Sequence, residues 1–195
     1  MAIVLPTAYL PPISWFAQLC SGEPIVIEQC ENFHRQTIRN RCSIDAPNGV
    51  LNLTVPVDKS NFRDGAKCQM RDVKISYSSD WRHQHWNAIK SSYFNSPFFE
   101  YLQDDFFPIY RKQWTFLMDL NEALIMKCCE LIDIQPNISR STEYMGTVQT
   151  RTEPMVSPYY QVFAHKHGFQ QDLSIVDLIF NLGPEALLYL TKSER

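Results

Sequence analysis

The sequence predicts an α/β protein: a mixed β-sheet with flanking helices, in which a βαβ opening is followed by a β-hairpin and a helical second half. Three observations predict it. A strand, helix, strand pattern fits within about the first 28 residues, the scale of a βαβ unit. An alternating stretch with a turn in its middle occupies 36–57, and helical periodicity dominates 80–131. The alternative arrangement of the same elements is α+β. With 195 residues, 45% hydrophobic and 20% charged, the chain suits one domain spanning 1–195 with its own core.

Residues 3–5 form a short apolar strand. Ile13, Trp15, Phe16 and Leu19 follow at helix-compatible spacing, and 24–27 is a second β-rich run. Strands joined this way lie parallel. Residues 36–57 then alternate, with Ile38, Asn40, Cys42 and Ile44 on one face and Thr37, Arg39, Arg41 and Ser43 on the other. Pro47-Asn48-Gly49 reads as the turn, with Leu51, Leu53 and Val55 alternating behind it. The segment 59–69 is a polar loop, and 73–77 is a strand with Val73, Ile75 and Tyr77 on one face.

Asp80 precedes Trp81, His85, Ala88 and Ile89, which share a helical face, so an Asp N-cap opens a helix reaching about Phe94. Ser96-Pro97 ends it, because the residue before proline disfavours the helical region. Residues 98–111 are helical around Pro108, and 115–131 form a further helix rich in Leu, Met, Ala and Glu. The polar segment 138–158, with Tyr144, Met145, Val148, Met155 and Val156 as its larger apolar residues, reads as loop and weak strand, and 159–164 as a strand. Ser174-Ile175-Val176-Asp177 has capping-box spacing. The helix it opens stops at Gly183, and Pro184 takes the first position of a last helix.

Composition removes several function classes. A net charge of −3 argues against a nucleic-acid binder, which needs a basic face to displace counterions. No run approaches the roughly 20 apolar residues of a membrane span. The start, Met1-Ala2-Ile3-Val4-Leu5-Pro6, lacks the basic region of a secretory signal, so the expected location is the cytoplasm. The six cysteines include no C-x-x-C and read as small apolar packing residues. There is no Walker loop, G-x-S-x-G, G-x-G-x-x-G or H-E-x-x-H, and the sequence names no cofactor.

The remaining chemistry lies in a few clusters. The alternation puts Arg35, Arg39 and Arg41 on one strand side, the last two about 7 Å apart. Guanidiniums so close call for an anion, whether phosphate, nucleotide sugar or carboxylate; the competing reading is a solvated hairpin face or internal salt bridges. His83-x-His85 and His165-x-His167 hold four of the five histidines. On a helix, residues two apart point about 200° apart, so His83 and His85 do not share an ion, and no metal site is assigned. His85, one turn from Trp81, faces inward, to pack or to act as an acid or base. Cys30 and Cys42 have no identifiable base, and Asp177 has a sufficient structural role at the third position of its helix.

Tyr9-Leu10-Pro11, the segment Thr37-Ile38-Arg39-Asn40-Arg41-Cys42-Ser43-Ile44, Leu53-Thr54-Val55-Pro56-Val57, and the spaced Trp81, His85, Ile89, Tyr93, Pro97 and Phe98 resemble the WbqC-like family of bacterial proteins. Tyr160-Gln161-Val162-Phe163, Gly168-Phe169 and the run from Leu173 to Gly183 resemble its C-terminal signature. The resemblance implies surface-polysaccharide or O-antigen assembly, with acyl or aminoacyl transfer to an amino sugar as the activity. The substrate is then a small anion such as a nucleotide sugar or acyl donor, with Arg35, Arg39, Asn40 and Arg41 binding it and Tyr9, His85 and Gln161 as catalytic candidates. A non-catalytic binding or scaffolding protein of such a pathway is the other reading. A strand ending in proline, a helix, a parallel strand and a later Ser141-Thr142-Glu143 turn are also similar to the layout of Rossmann-like nucleotidyltransferases. Pro11-Pro12-Ile13-Ser14 stands where their His-x-Gly-His would be.

Overall fold

In the computed structural model, which describes residues 2–60, 62, 67–146 and 157–192, the opening segment pairs as its pattern predicts. Strand β1 (Ile3–Pro6) lies parallel to β2 (Ile25–Glu28), with Ile3 opposite Ile25 and Pro6 opposite Glu28. The crossover is helix α1 (Ile13–Ala17) and a 3-10 turn, Gln18–Cys20. A third parallel strand, β5 (Ile138–Arg140), flanks β2 on its other side, so β2 is central. The antiparallel pairing sits in a separate sheet, the hairpin of β3 (Arg41–Ala46) and β4 (Gly49–Thr54). The protein is therefore α/β, with parallel and antiparallel pairing divided between two sheets.

The hairpin is shorter than its alternation. Residues 36–40 are a turn: the Asn40 and Arg41 amides both donate to the Thr37 carbonyl, at 3.1 and 3.0 Å, and Gln36 has φ +57. The Ile38 carbonyl is taken by the Tyr9 amide at 2.8 Å, which ties this turn to the loop after β1. Within β3 the alternation holds. Cys42 and Ile44 are buried in the core, while Arg41 and Ser43 face outward.

The strand expected at 73–77 is absent. A 3-10 turn (Met70–Asp72) leads into single bridges, Val57 to Ile75 and Lys74 to Phe116, because each neighbour offers one pairing residue before turning away. The loop expected at 59–69 lies partly outside the described residues, at 61 and 63–66, as do Val148, Met155 and Val156.

Helix α2 (Trp81–Tyr93) buries Trp81, His85 and Ile89 of the predicted face, with Ala88 half-buried and Tyr93 buried one turn further on, but the Asp80 side chain makes no capping bond. Helix α3 (Phe99–Arg111) accommodates Pro108 in its last turn. Helix α4 (Leu117–Leu131) starts two residues late because Phe116 is held extended by its bridge to Lys74.

The strand expected at 159–164 is also absent. Gln161 makes the local bonds a ladder would supply: its Nε2 donates to the Gln170 carbonyl and its Oε1 accepts the Gln170 amide, both at 2.9 Å. The chain then turns into a short helix, α5 (Ala164–His167). Helix α6 (Ile175–Leu182) is capped by Ser174, as predicted, and is buried nearly all round, with Phe180 against the rings of Tyr93, Phe99 and Phe106. It stops at Gly183 (φ +54), and a 3-10 turn with Pro184 passes into α7 (Ala186–Lys192). No helix among the described residues is long and apolar enough to cross a membrane.

Candidate functional site

In sheets with parallel strands, loops leaving the strands' carboxyl ends diverge and open crevices. Here the carboxyl end of β1 feeds the loop 7–12, β2 feeds Gln29 to Glu31, and β5 feeds Ser141 to Met145. The last two loops are stapled together by Glu28, which is fully buried. Its carboxylate accepts the Cys30 amide (2.6 Å), the Ser141 hydroxyl (2.8 Å) and the Met145 amide (2.7 Å).

A cleft of about 360 Å³ lies beside the end of β1, walled by Pro6, Pro12, the turn at 36–39, the outward face of β3 and Asp172. That volume is within the range of small-molecule sites. Strained backbone gathers around it. Gln36 (φ +57) and Asp172 (φ +50) line it, and Leu10 (φ +42) lies in the β1–α1 loop between its two prolines. Such conformations cost about 1–3 kcal/mol each and persist where the surroundings enforce them.

The expected three-arginine face is divided. Arg35 stacks on the Phe62 ring, 4.5 Å from its centre, and is not part of the cleft. Arg39 lines the cleft but is already paired: its Nε and Nη2 grip Glu31 at 2.6 and 2.5 Å, and the partners are 13% and 8% exposed. Arg41 donates from Nε to Thr54 Oγ1 at 3.0 Å and, among the described residues, forms no ion pair. Asn40 is buried as a staple, its Nδ2 on the Val55 carbonyl and its own carbonyl on the Val55 amide. The departure from the expected geometry has one cause: a turn, not a strand, carries residues 36–40.

Asp172 faces Arg41's cleft with the opposite charge. Its two oxygens accept the Ser14 amide and hydroxyl, each at 2.8 Å, and so cap α1 from a distant segment. A carboxylate of the chain thus occupies the start of this helix.

Behind the cleft wall Tyr9 and His85 come together, although 76 positions apart. The Tyr9 hydroxyl is 2.8 Å from His85 Nδ1 and 2.8 Å from the Tyr110 hydroxyl. Burial lowers the His85 pKa to about 4, against a smaller opposing effect from its hydrogen bond to the Thr54 backbone, so the ring is neutral. An N–H given to Thr54 leaves Nδ1 to accept from Tyr9, and Tyr9 in turn to accept from Tyr110. Burial pushes both phenols well above their usual range. Cys42, which lines the cleft beside them, is likewise raised by burial and is not a thiolate at neutral pH. None of the six cysteines forms a disulfide.

Gln161 joins a second buried group. Its Nε2 lies 3.0 Å from Asp177 Oδ2, which also accepts the Tyr159 hydroxyl. The capping-box role expected for Asp177 is therefore corrected: its carboxylate turns inward to Tyr159 and Gln161, and burial lifts its pKa to about 6. Nearby, Asp45 is 1% exposed and accepts from His167 Nε2 at 2.7 Å; burial raises its pKa while His167 opposes the rise. Tyr93 accepts the Asp45 amide and lies beside Asp177. His167 thus serves a carboxylate, not His165, which is exposed and bonded to the Val162 carbonyl. Among the described residues no group of His, Cys, Asp and Glu is arranged to hold a metal ion.

Tyr9, His85 and Gln161 all lie within the walls, at 0%, 5% and 2% exposure. Sequence reasoning missed Glu31, Asp45 and Asp172. The available signal was an acidic complement for a crowded arginine face, but no spacing rule identifies which acid.

No solved structure matches the chain. The uncharacterized protein Rv1507c of Mycobacterium tuberculosis (strain ATCC 25618 / H37Rv) is 24% identical over 227 residues, covering 96% of each protein. A family model matches residues 7–157, which span the β1–α1 loop, the hairpin, Tyr9, Arg39, Arg41 and His85. The chain belongs to the WbqC-like protein family.

Proposed function

We propose that the protein is a transferase of bacterial surface-polysaccharide (O-antigen) assembly, acting on an anionic donor held in the cleft at the end of β1. The observation that carries this reading is Arg41: a guanidinium on the cleft wall with no acidic partner among the described residues, beside an Arg39 already oriented by Glu31. Asp172 lines the same cleft with the opposite charge, so the cleft suits a ligand carrying both signs. An aminoacyl donor or an amino-sugar phosphate has that character, its anion on Arg41 and its ammonium near Asp172. Tyr9, His85 and Gln161 then act as positioning residues. The neutral Tyr110–Tyr9–His85 chain fixes the loop between β1 and α1, and Gln161 fixes the segment leading to Asp172.

The burial of those three residues favours a second reading, a binding protein that presents such a ligand without transforming it. Thermal-shift titration with nucleotide sugars, glucosamine 1-phosphate and acyl donors tests the site, since a ligand bound to the native state raises Tm. Arg41→Ala should abolish the shift, and Arg35→Ala, outside the cleft, should leave it intact. A shift that survives Arg41→Ala overturns the assignment. Binding without consumption of donor when an amino-sugar acceptor is added selects the second reading.

A further inference from the structure

A second concavity, of about 220 Å³, opens between α2 and α3. Tyr110 forms part of its lining, and Cys42, beside Tyr110 and Tyr9, lines the cleft described above, so the Tyr9–Tyr110–His85 group stands between the two. Its base is aromatic. The Trp86 ring lies 5.3 Å from Phe107 and 5.8 Å from Tyr110, and Phe107 is 39% exposed although it belongs to this ring cluster.

Its rim is cationic. Arg82 Nη1 donates to the carbonyls of Arg111 (2.9 Å) and Lys112 (3.0 Å), which pins the guanidinium at the end of α3 and 5.1 Å from the Tyr77 ring centre. Arg111 lies 5.8 Å from the centre of Phe107. Among the described residues neither arginine has an acidic partner, whereas Arg39 pairs with Glu31, Arg71 with Asp72, and Arg140 with Asp119 and Glu122. Asp80 is the lining carboxylate, so two guanidiniums face one acid on a chain whose net charge is −3. A helix-end cap explains one nitrogen of Arg82. It does not explain the remaining donors, nor Arg111, nor the exposed ring beside them.

Size limits the occupant. The volume falls below the roughly 300–1,000 Å³ that encloses drug-sized ligands and matches one ring with one charged group. We propose that this pocket binds a small planar aromatic anion, a single ring bearing a phosphate or carboxylate, with the ring against Phe107 and Trp86 and the anion on Arg82 and Arg111. Guanidinium and oxyanion make short charge-assisted bonds, and a flat ring gains contact on aromatic faces. The assignment is independent of the donor cleft, because it uses none of its residues.

Phenyl phosphate and benzoate are the probes, with inorganic phosphate and phenol as the separate halves, titrated against the whole chain by tryptophan fluorescence and by the Trp86 indole signal in NMR spectra. Saturable binding of either aryl anion, tighter than either half alone, is expected. Arg111→Ala should weaken it about tenfold, the loss of one charge-assisted bond, and Phe107→Ala should remove the preference for aryl over inorganic phosphate. Both side chains are partly or fully exposed, and Phe107→Leu, which keeps bulk without a ring, guards against a folding defect. Arg41→Ala should leave binding unchanged. No saturable binding overturns the proposal, as does binding lost in Arg41→Ala and kept in Arg111→Ala, which would place the ligand in the other cleft. A stronger response to phosphate than to phenyl phosphate would reduce the site to an anion patch and equally refute it.

Discussion

Acid titration should separate two buried groups that respond in opposite directions. Burial holds His85 at about 4 against an ordinary 6.5, and lifts Asp177 from 3.8 to about 6. Between pH 4 and 6.5 the unfolded chain binds a proton on His85 that the folded chain refuses. Stability from this group is present above 6.5 and is lost as pH falls through 4. For Asp177 the folded chain keeps a proton that the unfolded chain has released, so its contribution is present below 3.8 and is lost as pH rises through 6. The interval from 6.5 to about 4, at ~1.4 kcal/mol per pH unit, amounts to roughly 3 kcal/mol for His85, and the interval from 3.8 to about 6 gives a similar size for Asp177. In the native protein these slopes largely offset each other. Urea denaturation followed by tryptophan fluorescence, in closely spaced steps from pH 4 to 7, exposes them in variants. His85→Gln should be destabilised throughout, but its deficit against the native protein should grow by roughly 3 kcal/mol from pH 4 to 6.5. Asp177→Asn should show a deficit that shrinks over pH 4 to 6. Asp45, also raised by burial, drops out of the His85→Gln difference, but its charge helps raise Asp177, so the Asp177→Asn difference reads the two acids together. A His85→Gln curve parallel to the native one would refute a neutral, burial-held imidazole, and with it the donor order Tyr110 to Tyr9 to His85.

Two further substitutions probe the backbone around the cleft and the core. Asp172→Ala removes both bonds to Ser14 and should cost about 1–3 kcal/mol in urea, with Asp172→Asn losing less because it retains an acceptor oxygen. Gly183→Ala would set a methyl 2.5 Å from the Phe98 ring at φ +54, and should cost about 2–4 kcal/mol from left-handed strain and overpacking together. Gly22→Ala, at φ +75 with nothing within 4 Å, isolates the strain, and an equal loss at both sites in thermal melts would show that Phe98 yields freely.

Legibility in the sequence followed the range of the forces involved. The βαβ opening, α2 and the Gly183 stop rest on local periodicity and backbone preference, and each stands within a residue or two of its expected place. The turn at 36–40 escaped because a turn tethered by the Tyr9 amide carries the same alternation as a strand, and that tether is 29 residues distant. Strand β5 shows in the sequence only as weak strand within 138–158, because Ile138-Ser139-Arg140 has one apolar residue and its conformation is imposed by β2. Tyr9 and His85 were recognisable as polar groups at core positions; their mutual bond was not, since 76 residues separate them. The same holds for Asp45 with His167, 122 apart, and for Ser14 with Asp172, 158 apart. Charge pairing across such distances leaves no period to read.

The central strand acquires its two neighbours at very different moments. β1 is available to β2 as soon as the crossover closes, but Ile25 waits for Ile138, a separation of 113 residues, before its second edge is covered. At roughly 5–20 residues per second on the ribosome, that edge stays open for about 6–23 s. A nascent chain therefore displays the apolar run Ile25-Val26-Ile27 with unpaired amides through most of its synthesis, a surface to which holdase chaperones bind and from which strand-to-strand aggregation starts. Slow codons between positions 28 and 138, which lengthen that interval, should lower soluble yield without altering the stability of the finished molecule.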